Sequence, residues 1–192
     1  MIVGHDVLEL HAQASHRFGE LLRQVGADDW ALPTACPAWT VRALVDHVVR
    51  WNRAVPRQLA GASLVELTDL GDADILGTDP VAAWHESAQA AIEALARPGA
   101  LDVLVHTPIG QVPGAQLALF RFDDNLVHGW DLARAIDVPE QLDPDHVTAC
   151  YELVEPTAAY LPATGLFAAP PALPPGADAQ ARPSGGTDSG RP

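Results

Sequence analysis

Along residues 5–25 the apolar side chains Leu8, Phe18, Leu21, Leu22 and Val25 return at helical intervals with no proline among them, which predicts a first helix. Residues 26–39 collect turn formers, including Pro33 and Pro37, and deliver Thr40 as an N-cap. A second helix over residues 41–59 carries the stripe Leu44, Val48, Trp51 and Val55. Pro56 should bend or end it near its last turn, because proline has no N–H to donate. Residues 61–78 are acidic and weakly patterned, and read as a long connection. Asp79 followed by Pro80 opens a third helix, with Trp84, Ala88, Ala91, Ile92 and Leu95 on one side and Arg97-Pro98-Gly99 as its stop. Alternation at Leu101, Val103 and Val105, then Pro108, Gly110 and Pro113, predicts a short hairpin. A fourth helix covers residues 114–136, and Asp143-Pro144 opens a fifth carrying Val147, Cys150, Tyr151, Val154, Ala158 and Leu161.

These elements predict a mainly all-α fold: an up-and-down four-helix bundle with one extra helix and a short β hairpin between helices 3 and 4. Residues 1–167 form the predicted domain. Residues 168–192 are rich in Pro, Gly and Ser, bury too little apolar surface to offset their ordering entropy, and are expected to be a disordered tail.

Two helices break their own pattern. In the fourth, the inward positions read Leu117, Phe120, Asp124, Val127/His128, Asp131 and Ala135, so a carboxylate and an imidazole four residues apart interrupt an apolar stripe. In the second, His47 lies one turn above Trp51 on the flank of the buried face. A spacing of four stacks Asp124 and His128 over one helical turn, where a single ion can take both. The same spacing equally suits an Asp–His hydrogen bond or a solvated face. With His47 added, a carboxylate and two imidazoles make a divalent site with one position left open for water or a substrate sulfur. Asp131 reads as an outer partner that steadies an imidazole ring, or as a packing acid.

Charge narrows the partners. Asp and Glu total 25 against 11 basic residues, all of them Arg, and the formal charge of −14 repels nucleic acid and anionic membrane surfaces. No apolar run is fit for a signal peptide or a membrane span, so a cytoplasmic location is expected. Cys36 and Cys150 then read as thiols rather than a disulfide, with Cys36 a packed or capped loop thiol. His5, His11, His16, His85, His106 and His146 lack comparable spacing to acids and read mostly as surface residues. There is no phosphate-binding glycine loop, no G-x-S-x-G and no C-x-x-C pair.

The run Cys36-Pro37-Ala38-Trp39-Thr40-Val41-Arg42-Ala43-Leu44-Val45-Asp46-His47-Val48 resembles the C-x-x-W-T-V-R-x-L-x-x-H segment of the mycothiol-dependent maleylpyruvate isomerase N-terminal (metal-binding) domain family. This family sits within the DinB-like superfamily. Leu126-Val127-His128-Gly129-Trp130-Asp131-Leu132-Ala133-Arg134-Ala135 resembles its second signature. Pro98-Gly99-Ala100-Leu101 and Gly110-Gln111-Val112-Pro113-Gly114 resemble its connecting segment. The likeness is greatest to a short actinobacterial branch. It implies a DinB-like four-helix bundle and a divalent metal, zinc foremost, held by His47, Asp124 and His128. It further implies a metal-activated low-molecular-weight thiol, mycothiol as cosubstrate, directed at a small electrophile by an isomerase or S-transferase. The alternative is a non-catalytic metal- or ligand-binding, regulatory protein on the same bundle. The chain departs from the family isomerase in carrying Asp124 where Glu is expected and in its Pro- and Gly-rich end, and it is expected to lack that enzyme's second domain.

Overall fold

Helix starts follow the caps written into the chain. The computed structural model describes residues 6–36, 39–68, 74–139 and 141–154 of the 192. Helix α1 (Val7–Leu22) begins where the Asp6 carboxylate accepts from the Leu8 N–H, and α2 (Val41–Leu59) where the Thr40 hydroxyl accepts from Ala43. A short α3 (Leu64–Thr68) follows, inside the stretch expected to be a long connection; five residues are too few for a periodic signal. Helix α4 (Pro80–Leu95) has Asp79 as its cap and proline at its first turn. Strands β1 (Leu104–Thr107) and β2 (Gly110–Pro113) pair antiparallel with Val105 opposite Val112, which is the expected hairpin. Helix α5 (Gly114–Ala135) runs out of β2, and α6 (Pro144–Val154) closes the described chain. The expected helical positions Ala158 and Leu161, and the tail 168–192, lie outside the described residues.

The fold is mainly helical with one small two-stranded sheet among the described residues. Helix α1 packs on α5 and α4, and α2 packs on α4 and α5. Phe18, Leu22, Val45, Val48 and Trp84 fill the space between α1, α2 and α4, where the Phe18 and Trp84 rings stack with centroids 5.9 Å apart. Burying each such large apolar side chain contributes about 1.5–3 kcal/mol before entropy is counted. Val55, Leu95, Val105 and Leu117 seat the hairpin, while Leu10, Ala14, Phe122, Leu126 and Ala149 seat α6.

Two close approaches require glycine. A Cβ on Gly19 would lie 2.4 Å from the Trp84 ring, and one on Gly114 would lie 2.0 Å from the Ala100 carbonyl oxygen. The second fixes where α5 starts, and hence the height of the polar residues further along it. Just past the end of α5, Asp137 takes φ 55° and the Val138 N–H reaches the Ala133 carbonyl at 3.0 Å, the hydrogen bonding of a Schellman stop.

The aromatic buried on α5 is Phe122, not the expected Phe120, which is half-buried. The helix is covered on two faces, by α1 on one side and α2 on the other, so a single stripe misplaces some of its core. Cys36 and Cys150 are both free and buried. No helix among the described residues is long and apolar enough to cross a membrane.

Candidate metal centre

Leu44 and Val48 are fully buried, and their anchoring of α2 turns His47 toward α5. Its Nε2 lies 3.2 Å from Oδ1 of Asp124, and Nε2 of His128 lies 3.6 Å from the same oxygen. The two imidazoles stand 5.0 Å apart between centroids. One donor atom from each of the three residues falls within 4.8 Å of the others. His128 is wholly buried, whereas His47 and Asp124 are half-buried, so the cluster opens on their side.

Three further groups close around it. Arg121, one turn before Asp124 and itself buried, donates to the other carboxylate oxygen, Oδ2. Asp131, one turn beyond His128, has Oδ2 3.3 Å from Nδ1 of that imidazole. The Cys36 thiol donates to the same Asp131 oxygen across 3.5 Å. The loop that brings Cys36 there is tied by Thr34, whose N–H donates to the Trp39 carbonyl and whose hydroxyl accepts from the Cys36 N–H. That tie also lays the Trp39 ring against both imidazoles, at 4.7 Å from His47 and 5.7 Å from His128, while Trp51 flanks His47 at 6.4 Å.

Burial and charge act against each other here. Burial favours a neutral Asp124, but Arg121, then His47 and His128, hold its carboxyl far below the usual carboxylate range. Burial pushes His47 below its ordinary value despite Asp124. Burial also opposes charge on His128, yet Asp124, with Asp131 and Cys36, pushes it up to about 10. The carboxylate is therefore ionised at neutral pH and is faced by one guanidinium and two imidazoles.

The residues fit a divalent ion. Nε2 of His128 is buried and has no hydrogen-bond partner among the described residues, although it faces a carboxylate. Ligands bound at about 2.0–2.1 Å in a tetrahedral arrangement stand about 3.3–3.4 Å from one another. The observed 3.2 and 3.6 Å bracket that spacing. Two imidazoles and one carboxylate are a donor set suited to zinc, and three such ligands leave one position of a tetrahedral ion unfilled by this trio.

The structure thus brings the sequence-derived His47, Asp124 and His128 together and sets Asp131 against the far nitrogen of His128. It also corrects one reading: His11 is 1% exposed, not a surface residue, and burial together with Arg121 pushes its pKa down to about 3. Its position at helical spacing from Ala14, Ser15 and Phe18 carried that signal. Arg121 and Cys36 escaped the functional reading. Arg121 sits three residues before Asp124, an ion-pair spacing visible in sequence. The contact of Cys36 with Asp131 spans 95 residues and has no local signature.

Comparison with known proteins follows the same lines. The family model for the mycothiol maleylpyruvate isomerase N-terminal domain matches residues 11–133. Two Mycobacterium tuberculosis proteins, "Uncharacterized protein MT0763" of strain CDC 1551 / Oshkosh and "Uncharacterized protein Rv0738" of strain ATCC 25618 / H37Rv, are each 37% identical over 140 residues. The alignment covers 73% of this chain and 72% of each relative. No solved structure matches it.

Proposed function

The chain belongs to the mycothiol maleylpyruvate isomerase N-terminal domain family, and from that premise we propose that it is a zinc-binding protein that activates a low-molecular-weight thiol, mycothiol or a close analogue, toward a small electrophile. The observation that supports this most strongly is the convergence of His47, Asp124 and His128, from two helices, within 4.8 Å around a buried imidazole nitrogen that has no hydrogen-bond partner among the described residues. The supporting scaffold in this reading is a DinB-like up-and-down four-helix bundle, with residues 1–167 as the domain and 168–192 as a tail.

His47, Asp124 and His128 would hold the ion. When bound, such an ion lowers the pKa of a coordinated thiol and keeps it as the nucleophilic thiolate. With an ion bound, Asp131 would accept from Nδ1–H of His128 and leave the lone pair of Nε2 to the ion. Arg121 occupies Oδ2 of Asp124 and leaves Oδ1 to the two imidazoles. The Trp39 and Trp51 rings give the mouth an apolar wall that excludes water beside an incoming thiol.

The test uses cobalt(II) in place of zinc, in the Cys36→Ser background so that no neighbouring protein thiol contributes. Adding mycothiol should produce a sulfur-to-cobalt charge-transfer band, and a panel of small electrophiles should then yield thiol adducts or isomers. Absence of the band overturns the thiol assignment. A band without turnover replaces the catalytic reading with that of a non-catalytic thiol-binding, regulatory protein.

A further inference from the structure

The imidazole of His128 has donors gathered at both of its nitrogens. Around Nε2 are His47 and Asp124; around Nδ1 are Asp131 and Cys36. We propose that Cys36 Sγ, Asp131 Oδ2 and His128 Nδ1 form a second, inner site for a thiophilic divalent cation of the cadmium type, whose occupation excludes an ion from the outer site.

Spacing is the first support. For zinc, bonded to sulfur at about 2.3 Å and to N and O at about 2.0–2.1 Å with tetrahedral angles, N and O stand about 3.3 Å apart and S and O about 3.5 Å apart; the larger cadmium ion bonds at greater length and spreads the same donors somewhat further. The structure has Nδ1 at 3.3 Å and Sγ at 3.5 Å from the one carboxylate oxygen. Burial is the second support. Cys36 is 7% exposed, Asp131 5% and His128 0%, so these three donors share an enclosed space from which competing water is largely excluded. The third is chemical: the trio adds a soft sulfur to an imidazole and a carboxylate, whereas the outer trio has none, so a thiophilic ion prefers the inner set.

Occupation of the inner site of the metal-free chain sends both the thiol proton of Cys36 and the Nδ1 proton of His128 to solvent and leaves the remaining N–H of the now neutral imidazole on Nε2. That nitrogen is then no longer a ligand for the outer site. A thiophilic ion therefore ejects zinc without touching His47 or Asp124. This exclusion rests on the outer-site reading; the inner site itself does not.

Cadmium titration of the metal-free full chain tests it, followed through the ultraviolet sulfur-to-cadmium charge-transfer band. The band should appear in the wild type, persist in Cys150→Ser and His47→Ala, and be lost in Cys36→Ser. A band that survives undiminished in Cys36→Ser, or none in the wild type, overturns the site. A second measurement needs no variant: stoichiometric cadmium should protect Cys36 of the wild-type chain from alkylation, read by peptide mapping, and an unchanged alkylation rate overturns the site. On the zinc-loaded chain, cadmium should release zinc to a chromogenic chelator. If the Cys36-dependent band forms but His47→Ala and Asp124→Ala still hold zinc in the Cys36→Ser background, the outer assignment fails and the inner one stands.

Discussion

Arg121 and a bound cation are two ways of satisfying the same buried carboxylate, so the cost of losing one should depend on the presence of the other. Replacing Arg121 by Met keeps most of its volume and removes the guanidinium from Oδ2 of Asp124. Breaking a buried ion pair by deleting one partner costs about 3–5 kcal/mol, because the remaining charge is stranded. Here Asp124 keeps His47 at 3.2 Å and His128 at 3.6 Å, which sets the cost at the lower end, about 3 kcal/mol in metal-free protein. For a domain of this size that is a fall in Tm of about 6–12 °C.

A cation held by Asp124 supplies the missing positive charge, so with saturating zinc the cost should shrink to about 1–2 kcal/mol, mostly lost packing and hydrogen bonding. By linkage, the difference of about 1–2 kcal/mol is a zinc affinity about 5–30-fold higher in the variant. Urea unfolding of wild type and Arg121→Met, each with chelator and with saturating zinc, reads all four corners of the cycle. Equal destabilisation with and without zinc would refute the argument that ion and guanidinium share Asp124.

Other outcomes follow from single contacts. Asp131→Asn should weaken zinc binding about 10–100-fold, since a carboxylate behind a ligating imidazole fixes its tautomer and basicity; an unchanged affinity by chelator competition would remove Asp131 from that role. Gly19→Ala drives a methyl into the Trp84 ring, and overpacking of about 1–3 kcal/mol outweighs a helix-propensity gain of up to about 1 kcal/mol; stability equal to wild type in chemical denaturation would contradict the packing described. His11 should make the fold acid-sensitive. Its folded pKa, about 3, lies below the unfolded value of about 6.5, so its contribution is complete above about pH 6.5 and is lost as pH falls toward 3. Between about pH 7 and 4.5 that is up to about 2.5 kcal/mol, and His11→Gln should lose that much less; a variant-to-wild-type difference that does not move with pH would contradict it.

What the chain declares about itself is local. Asp79-Pro80, Thr40 and the Pro108 to Pro113 punctuation marked element starts and the hairpin because caps and breakers act on their own few residues. Asp124 and His128 were legible because one turn of helix brings them together whatever else happens, and His47 because it flanks an otherwise apolar stripe. Phe122 was missed for Phe120 because α5 is covered by α1 and α2 at once, and periodicity resolves only one buried face. Cys36 looked like an isolated loop thiol since its partner lies on another element, reached only when the Thr34 to Trp39 turn folds against α5. His11 reads as surface when only its spacing to acids is weighed, although Ala14, Ser15 and Phe18 in its helical register are buried.

Metal content is the most direct trial of the central claim. Elemental analysis after zinc reconstitution and desalting, in the Cys36→Ser background, should give one zinc per chain. That zinc should be absent from His47→Ala, Asp124→Ala and His128→Ala chains made in the same background. Full zinc in the His47→Ala chain, or in both the Asp124→Ala and His128→Ala chains, would contradict a shared ion between α2 and α5.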